Sequence, residues 1–510
     1  MNNKIVFAIF SLISLILSIN FGTNGVWFFI FSVFVGVTVL LYSPEEESKL
    51  VISKYFFIVP FLLFMVSRLL PFYLYGPHPL GYDTGFYKYN ISKERSGSLG
   101  GVHLSEVELT GSRLITKGLI GIGLSDNEIM YGFYILICLL IGLFVYLLTN
   151  LHFGETAAFF SVFAYSISFV QFLAYWDMFW KNAIGVFLIL AIFYLLEKKK
   201  LYYQLSALPL VGLVFITHKT SAVLLCLTLT AYYLFQKNKV KYYLLPVLFI
   251  ITGIVAWNNR ILVVYLWEQL ISGFSAHYDF FAVKEGIFIE SQQFLGISYS
   301  FFYLPFAILS IISILSKKRN NLILTFLLIC AIFVIAKLIF YKRIFAFLDI
   351  GLIILFGYSF SLFIKKIGSA TSIKYRNWFL VILLVFPTSL FIENVINQKS
   401  LISKTEIKNI ESLKDLAPSL RILTYSSYYT PWLYGFSGHK IIAPGWGDDK
   451  WTLEKWNKFW NVDMESKKTM LGDLQQPFLI YDNGDGFFNF TNDDCFNKLE
   501  SNVYIFNCNK

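Results

Sequence analysis

Long, nearly uninterrupted apolar blocks restrict this chain more than any other feature. Thirteen runs of roughly the length that crosses a bilayer, about 20 residues each, fall near 4–20, 25–42, 54–74, 129–149, 156–175, 183–197, 203–217, 220–235, 242–266, 297–316, 321–340, 345–364 and 377–396. The sixth to eighth are the shortest. A water-soluble chain has too few polar residues to cover such blocks. Of the 510 residues, 56% are hydrophobic and 15% charged, against roughly 45–50% and about 25% in ordinary globular domains. Mean hydropathy is +0.62. The expected fold class is mainly α, a polytopic transmembrane helical bundle of about 13 spans. The first block follows Lys4 as a signal peptide would, but no small-residue cleavage site follows and a second block comes at once, so it reads as a membrane helix.

The net charge of +10 is carried largely by short loops. Lys198–Lys200, Lys237/Lys239/Lys241, Lys317-Lys318-Arg319 and Lys365-Lys366 with Lys374 and Arg376 fall in alternate loops, whereas the opposite short loops hold chiefly Lys181 and Lys219. This bias makes the four basic loops cytoplasmic and, with an odd number of spans, puts the N-terminus inside and the C-terminal tail outside. It orients a membrane protein and is no nucleic-acid footprint. Five domains follow: a transmembrane hairpin (1–50); a transmembrane module (51–266) with a large first outer loop (76–127); an outer loop (267–296); C-terminal transmembrane helices (297–397); and an extracytoplasmic α/β domain (398–510). In the last, the runs RILTY, KIIAPG, PFLIY and VYIFN alternate with helical or loop stretches. The sequons Asn90-Ile91-Ser92 and Asn489-Phe490-Thr491 fall in the outer segments. Cys138, Cys226 and Cys330 lie in apolar spans as small core residues. Cys495 and Cys508 lie close together in polar sequence, where an extracytoplasmic setting permits a disulfide.

Ionisable groups near membrane spans are costly and mark working sites. Those at expected outer helix ends are Asp83, Asp177, His218, Lys219, Lys337, Lys342, Arg343 and Asp349. Asp83, in PLGYDTGFY, either caps a helix or is presented to the membrane surface by a turn made flexible by Gly81 and Gly85. Asp177 lies in a very short turn between Trp176 and Trp180, either paired with Lys181 or exposed to a substrate. His218-Lys219 forms an equally tight turn. Arg343 suits bidentate phosphate binding or pairs with Asp349. His277, Asp279, Glu285 and Glu290 show no metal-ligand spacing.

In PLGYDTGFYKY, LAYWDMFWKNAIGVFLILAIFYLL, FITHKTSAVLL, FYKRIFAFLDIGLIILFG and YSSYYTPWLYGFSGHKIIAPGW, in that order, the chain resembles integral-membrane glycosyltransferases of the GT-C superfamily. The likeness is to archaeal and bacterial members related to protein mannosyltransferases and aminoarabinose transferases, and more remotely to the oligosaccharyltransferase catalytic subunit. It covers about residues 51–460. It implies that Asp83 acts as base or orients the acceptor, that Asp177 assists it, and that Lys219 and Arg343, with His218 and Lys342, hold the phosphate of a polyprenyl-phosphate-linked sugar donor. The acceptor would be a glycan, lipid or protein hydroxyl, and membrane lipids the surroundings. A divalent metal fits the resemblance but is not required by these residues. Tandem Asp-x-Asp is absent at Asp83, two spans precede the module, and Trp446-Gly447-Asp448-Asp449 matches the oligosaccharyltransferase tail motif only faintly. The alternative function is a lipid-linked sugar flippase or transporter, which would more often place its charges at the bilayer midplane. The topology has a direct check. A cysteine placed in the tail should react with an impermeant maleimide in intact cells, while one at 198–200 should stay protected; the reverse pattern inverts the scheme.

Overall fold

The computed structural model describes residues 54–75, 81–96, 110–198, 200–235, 302–316, 321–336, 341–370, 373–416 and, with short breaks, 420–508, plus isolated positions between 246 and 300 and Leu338. The two N-terminal runs, most of the run at 242–266 and of the loop 267–296, Lys337 and the Asn489 sequon lie outside the described residues. In chain order the helices are α1 (Ile58–Tyr75), α2 (Thr84–Ser96), α3 (Thr110–Gly121), α4 (Phe133–Phe153), α5 (Glu155–Ser166), α6 (Phe169–Trp176), α7 (Trp180–Glu197), α8 (Leu201–Thr217), α9 (Lys219–Phe235), α10 (Leu304–Ser316), α11 (Leu322–Ile335), α12 (Tyr341–Ala370), α13 (Ile373–Asn397), α14 (Lys404–Ser412), α15 (Leu453–Asn461) and α16 (Met464–Gly472). The strands are β1 (Arg421–Leu423), β2 (Lys440–Ala443), β3 (Trp446–Gly447), β4 (Phe478–Tyr481), β5 (Phe496–Glu500) and β6 (Val503–Phe506). They fall into two compact units. One holds α1 to Leu74 and α4–α13; the other joins the described residues of 75–132 to the tail from Ser400.

The helical unit has its polarity reversed. On α1, Ile58, Phe61, Leu62, Val66 and Leu69 are exposed, while Phe64, Ser67, Arg68 and Pro71 are buried. The buried positions recur at helical spacing, so one face is inside. It is the face with the serine and the arginine. A helix that hides its charge and exposes its leucines is solvated by lipid, and this is a membrane protein. Among the described residues four helices are long and apolar enough to cross a membrane, and five if the bent pair α5–α6 counts as one span. Of the helix pieces matching the shorter runs, α7 is one of these four, while α8 and α9 fall below that length.

Helix α12 is the hub. In its membrane-length window 89% of residues lie inside the protein, against 28% for α1, as an all-round apolar helix requires. Helices α4, α5, α10 and α11 pack around it. Close approach to α5 depends on Gly357: a Cβ there would stand 2.3 Å from the Ala157 carbonyl oxygen and 2.1 Å from Ser161 Oγ. Ser161 Oγ in turn donates to the carbonyls of Ile353 (3.1 Å) and Ile354 (3.3 Å), the small-residue packing that serves helices in lipid.

The second unit carries a six-stranded mixed sheet, order β3-β2-β1-β4-β6-β5, with β1 parallel to β2 and β4 and the remaining pairs antiparallel. The four β-like runs of the tail are β1, β2, β4 and β6. Their side chains alternate between two cores, as the period of a strand demands. Ile422, Ile441, Ala443, Leu479 and Tyr481 face one side, with Ile407, Ile410, Trp432, Tyr434 and Phe86 of α2. Leu423, Ile442, Phe478 and Ile480 face the other, with Trp456, Phe459 and Leu471. Cys495 and Cys508 form a disulfide. Cys138, Cys226 and Cys330 lie within helices of the first unit and outside any disulfide.

The α5–α12 contact is testable by thermal unfolding in detergent. Gly357→Ala should lower the midpoint through overpacking, which costs typically ~1–3 kcal/mol. Gly212→Ala on α8, where a Cβ meets nothing within 4 Å, should leave it unchanged or raised; equal effects would refute close packing at Gly357.

Candidate active site

Asp83 belongs to the second unit. It directly precedes α2, and its carbonyl accepts the Tyr87 N–H (3.2 Å), which makes it the N-cap position. Gly81 closes the preceding turn: its carbonyl accepts the Thr84 N–H and its N–H donates to Thr84 Oγ1, both at 3.3 Å. The sequence reading of a flexible Gly81-to-Gly85 turn is wrong. Gly85 is a buried helical residue whose added Cβ would stand 1.8 Å from the Pro431 carbonyl oxygen, and a Cβ on Gly435 would stand 2.3 Å from the Gly85 carbonyl oxygen. Both glycines serve close backbone contact, not flexibility. Around this contact Tyr82 meets Trp432 edge-on at 5.7 Å, and Phe86 and Tyr89 meet Tyr434 at 5.9 and 5.4 Å. Lys88 lies 3.6 Å above the Phe436 ring. Burial, with a smaller push from Lys414, holds its ammonium below the usual lysine range. Asp83 itself is half-buried on a rigid seat. In the facing segment around Pro431, Thr430 Oγ1 and the Trp432 indole N–H are buried with no hydrogen-bond partner among the described residues, a feature that the sequence reading passed over.

The other candidates belong to the helical unit. Asp177 is buried, at 2% exposure, as the residue that ends α6. The Phe179 N–H bonds the Ala174 carbonyl (2.9 Å) and the Met178 N–H bonds that of Tyr175 (3.1 Å). This is a Schellman ending, in which the left-handed position is usually glycine. Here it is Met178, with φ 63°, a conformation costing an L-residue roughly 1–2 kcal/mol. Such strain persists where surrounding structure enforces it, often at working sites. An inverse γ-turn follows, with the Trp180 N–H on the Met178 carbonyl (2.7 Å).

His218 joins α8 to α9. Its Nδ1 accepts the Ser221 N–H (3.3 Å) and lies 2.7 Å from Ser221 Oγ, so it caps α9. An accepting Nδ1 leaves the ring proton on Nε2. Gly185 of α7 makes room: a Cβ there would stand 2.0 Å from Ser221 Oγ. One face of α12 reaches both turns. The Arg343 guanidinium lies 5.5 Å above the Phe179 ring, and Phe347, one turn on, stacks on the His218 ring at 6.4 Å and 6°. The structure thus brings Asp177, Lys181, His218, Lys219 and Arg343 to one end of the helical unit, with the half-buried Lys342 beside Arg343.

Asp349 does not join them. Eight residues into α12, about 12 Å along it, it is fully buried, and it is not at an outer helix end. Its carboxylate accepts from Ser168 Oγ (2.8 Å), Gln171 Nε2 (2.9 Å) and the Tyr303 hydroxyl. None of these is a cation, so the Arg343–Asp349 pair is not formed. The sequence reading also missed Arg68, buried in the middle of α1; an arginine inside an apolar run was the available signal. Among the described residues no three His, Cys, Asp or Glu side chains gather as ligands of one metal ion.

No protein-family model matches the chain, and no curated protein matches it. Solved structures do. An oligosaccharyltransferase of Archaeoglobus fulgidus, in complex with Zn and sulfate, aligns at TM-score 0.59 and 14% identity over 83% of this chain and 67% of that one. The same organism's archaeal oligosaccharyltransferase AglB, with an inhibitory peptide and a dolichol-phosphate, aligns at 0.58 and 13% over 84% and 70%. ArnT from Cupriavidus metallidurans in the apo state aligns at 0.57 and 12% over 89% and 97%. The close backbone contact beneath Asp83 is open to test. Gly85→Ala forces α2 away from the Pro431 turn and should lower the unfolding midpoint, with the typical ~1–3 kcal/mol cost of overpacking; a parental midpoint would show that α2 does not seat there.

Proposed function

Since the chain has the GT-C fold of these membrane glycosyltransferases, we propose that it moves a sugar from a polyprenyl-phosphate-linked donor to an acceptor hydroxyl on the extracytoplasmic side of a multi-pass membrane protein. The observation that carries this reading is that the first turns of α12 reach both basic turns, Arg343 lying 5.5 Å above the Phe179 ring beside Asp177 and Lys181, and Phe347 stacking on His218 beside Lys219. Three cations in adjoining helix-end turns, with one imidazole N–H donor, suit an anionic headgroup on a lipid chain. A guanidinium binds phosphate through two parallel N–H bonds, and low dielectric strengthens each contact. That AglB was solved with dolichol-phosphate supports the class of donor. The Cys495–Cys508 disulfide supports an extracytoplasmic tail, where disulfides persist.

In the proposed reaction the acceptor oxygen attacks the anomeric carbon with inversion. Its proton passes to the Asp83 carboxylate as the bond between that carbon and the phosphate oxygen breaks. The electron pair leaves on polyprenyl phosphate, whose growing charge Lys219 and Arg343 stabilise, with His218 Nε2–H and Lys342 as further donors. Asp177 supports the reacting centre from its strained turn.

Kinetics separate the roles. Asp83→Asn keeps size and polarity but cannot take the proton, so kcat should fall ~10²–10⁴-fold in folded protein, the usual contribution of a positioned base. Arg343→Ala should lower kcat/KM for the donor by about 2–3 kcal/mol, the scale of hydrogen bonds to charged groups, and leave acceptor KM unchanged. Near-parental turnover in Asp83→Asn would remove it from the mechanism. Movement of the lipid-linked sugar across the bilayer without cleavage would replace a transferase by a flippase.

A further inference from the structure

The span made by α5 and α6 is broken at Ile167 and Ser168 and bends by 47°. Each end of the break is held by one fully buried charge. Arg68 of α1 serves the α5 end: its Nη1 donates to the Ser166 carbonyl at 3.4 Å and to Ser67 Oγ at 2.8 Å. Helix C-termini carry partial negative charge, so a cation is favoured there. Asp349 of α12 serves the α6 end. Its Oδ2 accepts from Ser168, the N-cap of α6, and from Gln171 in the first turn, where partial positive charge favours an anion. Arg68 also reaches along α6. Its guanidinium lies 5.8 Å from the Phe172 ring and 4.6 Å from that of Phe64, and its carbonyl accepts the Tyr175 hydroxyl at 3.0 Å. Gln171 Nε2 further donates to the Ala346 carbonyl at 2.8 Å. An eight-residue helix is thus tied to α1 on one side and to α12 on the other, and its last residue is followed directly by Asp177.

We propose that Arg68 and Asp349 are positioning residues, opposite charges that hold the two ends of the broken span and thereby fix α6 and the Asp177 turn. Neither touches a reacting atom. Both charges are sorted by helix ends and not by direct pairing: Asp349 is fully occupied by neutral donors, and Arg68 keeps Nε and Nη2 without hydrogen-bond partners among the described residues. The effect on turnover rests on the transferase reading above; the effect on the turn does not.

The test uses the full chain in detergent with Met178→Cys as reporter, since Met178 is only 2% exposed and stands in the turn itself. Maleimide should label the reporter slowly. Arg68→Leu and Asp349→Leu should each raise the labelling rate about tenfold or more through local opening, whereas Arg68→Lys, which keeps the charge at the Ser166 carbonyl, should stay near the parental rate. Gly357→Ala, which disturbs α5–α12 packing away from the break, should not open the turn. In the transferase assay the leucine variants should lose kcat while donor KM holds. Parental labelling in both leucine variants overturns the proposal, whatever the assay shows; opened labelling in a protein without turnover sustains it and removes only the transferase reading. If the leucine variants do not give monodisperse protein, Asp349→Asn decides. It keeps the shape but lacks the charge and should open the turn by about threefold or more; no change there is equally fatal.

Discussion

Within the hydrocarbon layer no water satisfies a broken backbone or a lone charge, so every such group must find its partner inside the protein. The break between α5 and α6 is where this constraint bears hardest. Stopping a span at Ser166 and restarting it at Phe169 frees carbonyls on one side and N–H groups on the other. Ser168 Oγ meets the Gln171 N–H from within the chain; from neighbouring helices Arg68 meets the Ser166 carbonyl, and Asp349 accepts from the Ser168 hydroxyl and the Gln171 side-chain amide. That demand explains why α12 is so deeply enclosed and why α1 turns its only arginine inward. The short helix so held ends in Asp177, and the first turns of α12 then reach both the Asp177 and the His218 turns through Arg343 and Phe347.

The second unit follows the rules of water. Its sheet alternates between two covered faces, and its first core takes in α2, which the sequence supplies more than 300 residues earlier. The join is made by removing side chains at Gly85 and Gly435 and by inserting Phe86 among Trp432, Tyr434 and Tyr481. Asp83 is therefore carried by a packed domain, and its position is set by that core.

Much of this was legible in sequence, for physical reasons that differ by element. Apolar runs report their own length, so α4, α7, α12 and α13 fall where the runs do. Strand alternation gave β1, β2, β4 and β6. Two kinds of feature were not legible. Close approach of distant segments leaves no local mark, and Gly85 therefore looked like a hinge. Burial of a charge depends on its neighbours, which is how Asp349 passed for a surface partner of Arg343 and how Arg68 escaped notice. The kink in the fifth run has a faint signal, the polar pair Ser166 and Ser168 inside an apolar stretch, but its meaning rests on residues about 100 and 180 positions away.

The proposed function depends on a lipid phosphate seated against the cations at the start of α12. A density map of the purified protein with a non-hydrolysable polyprenyl-phosphate sugar would test it most directly. Phosphate density is expected within hydrogen-bonding distance of the Arg343 guanidinium and Lys219 Nζ, with His218 Nε2 facing it. Phosphate bound elsewhere, with Arg343 and Lys219 remote from it, would contradict the account.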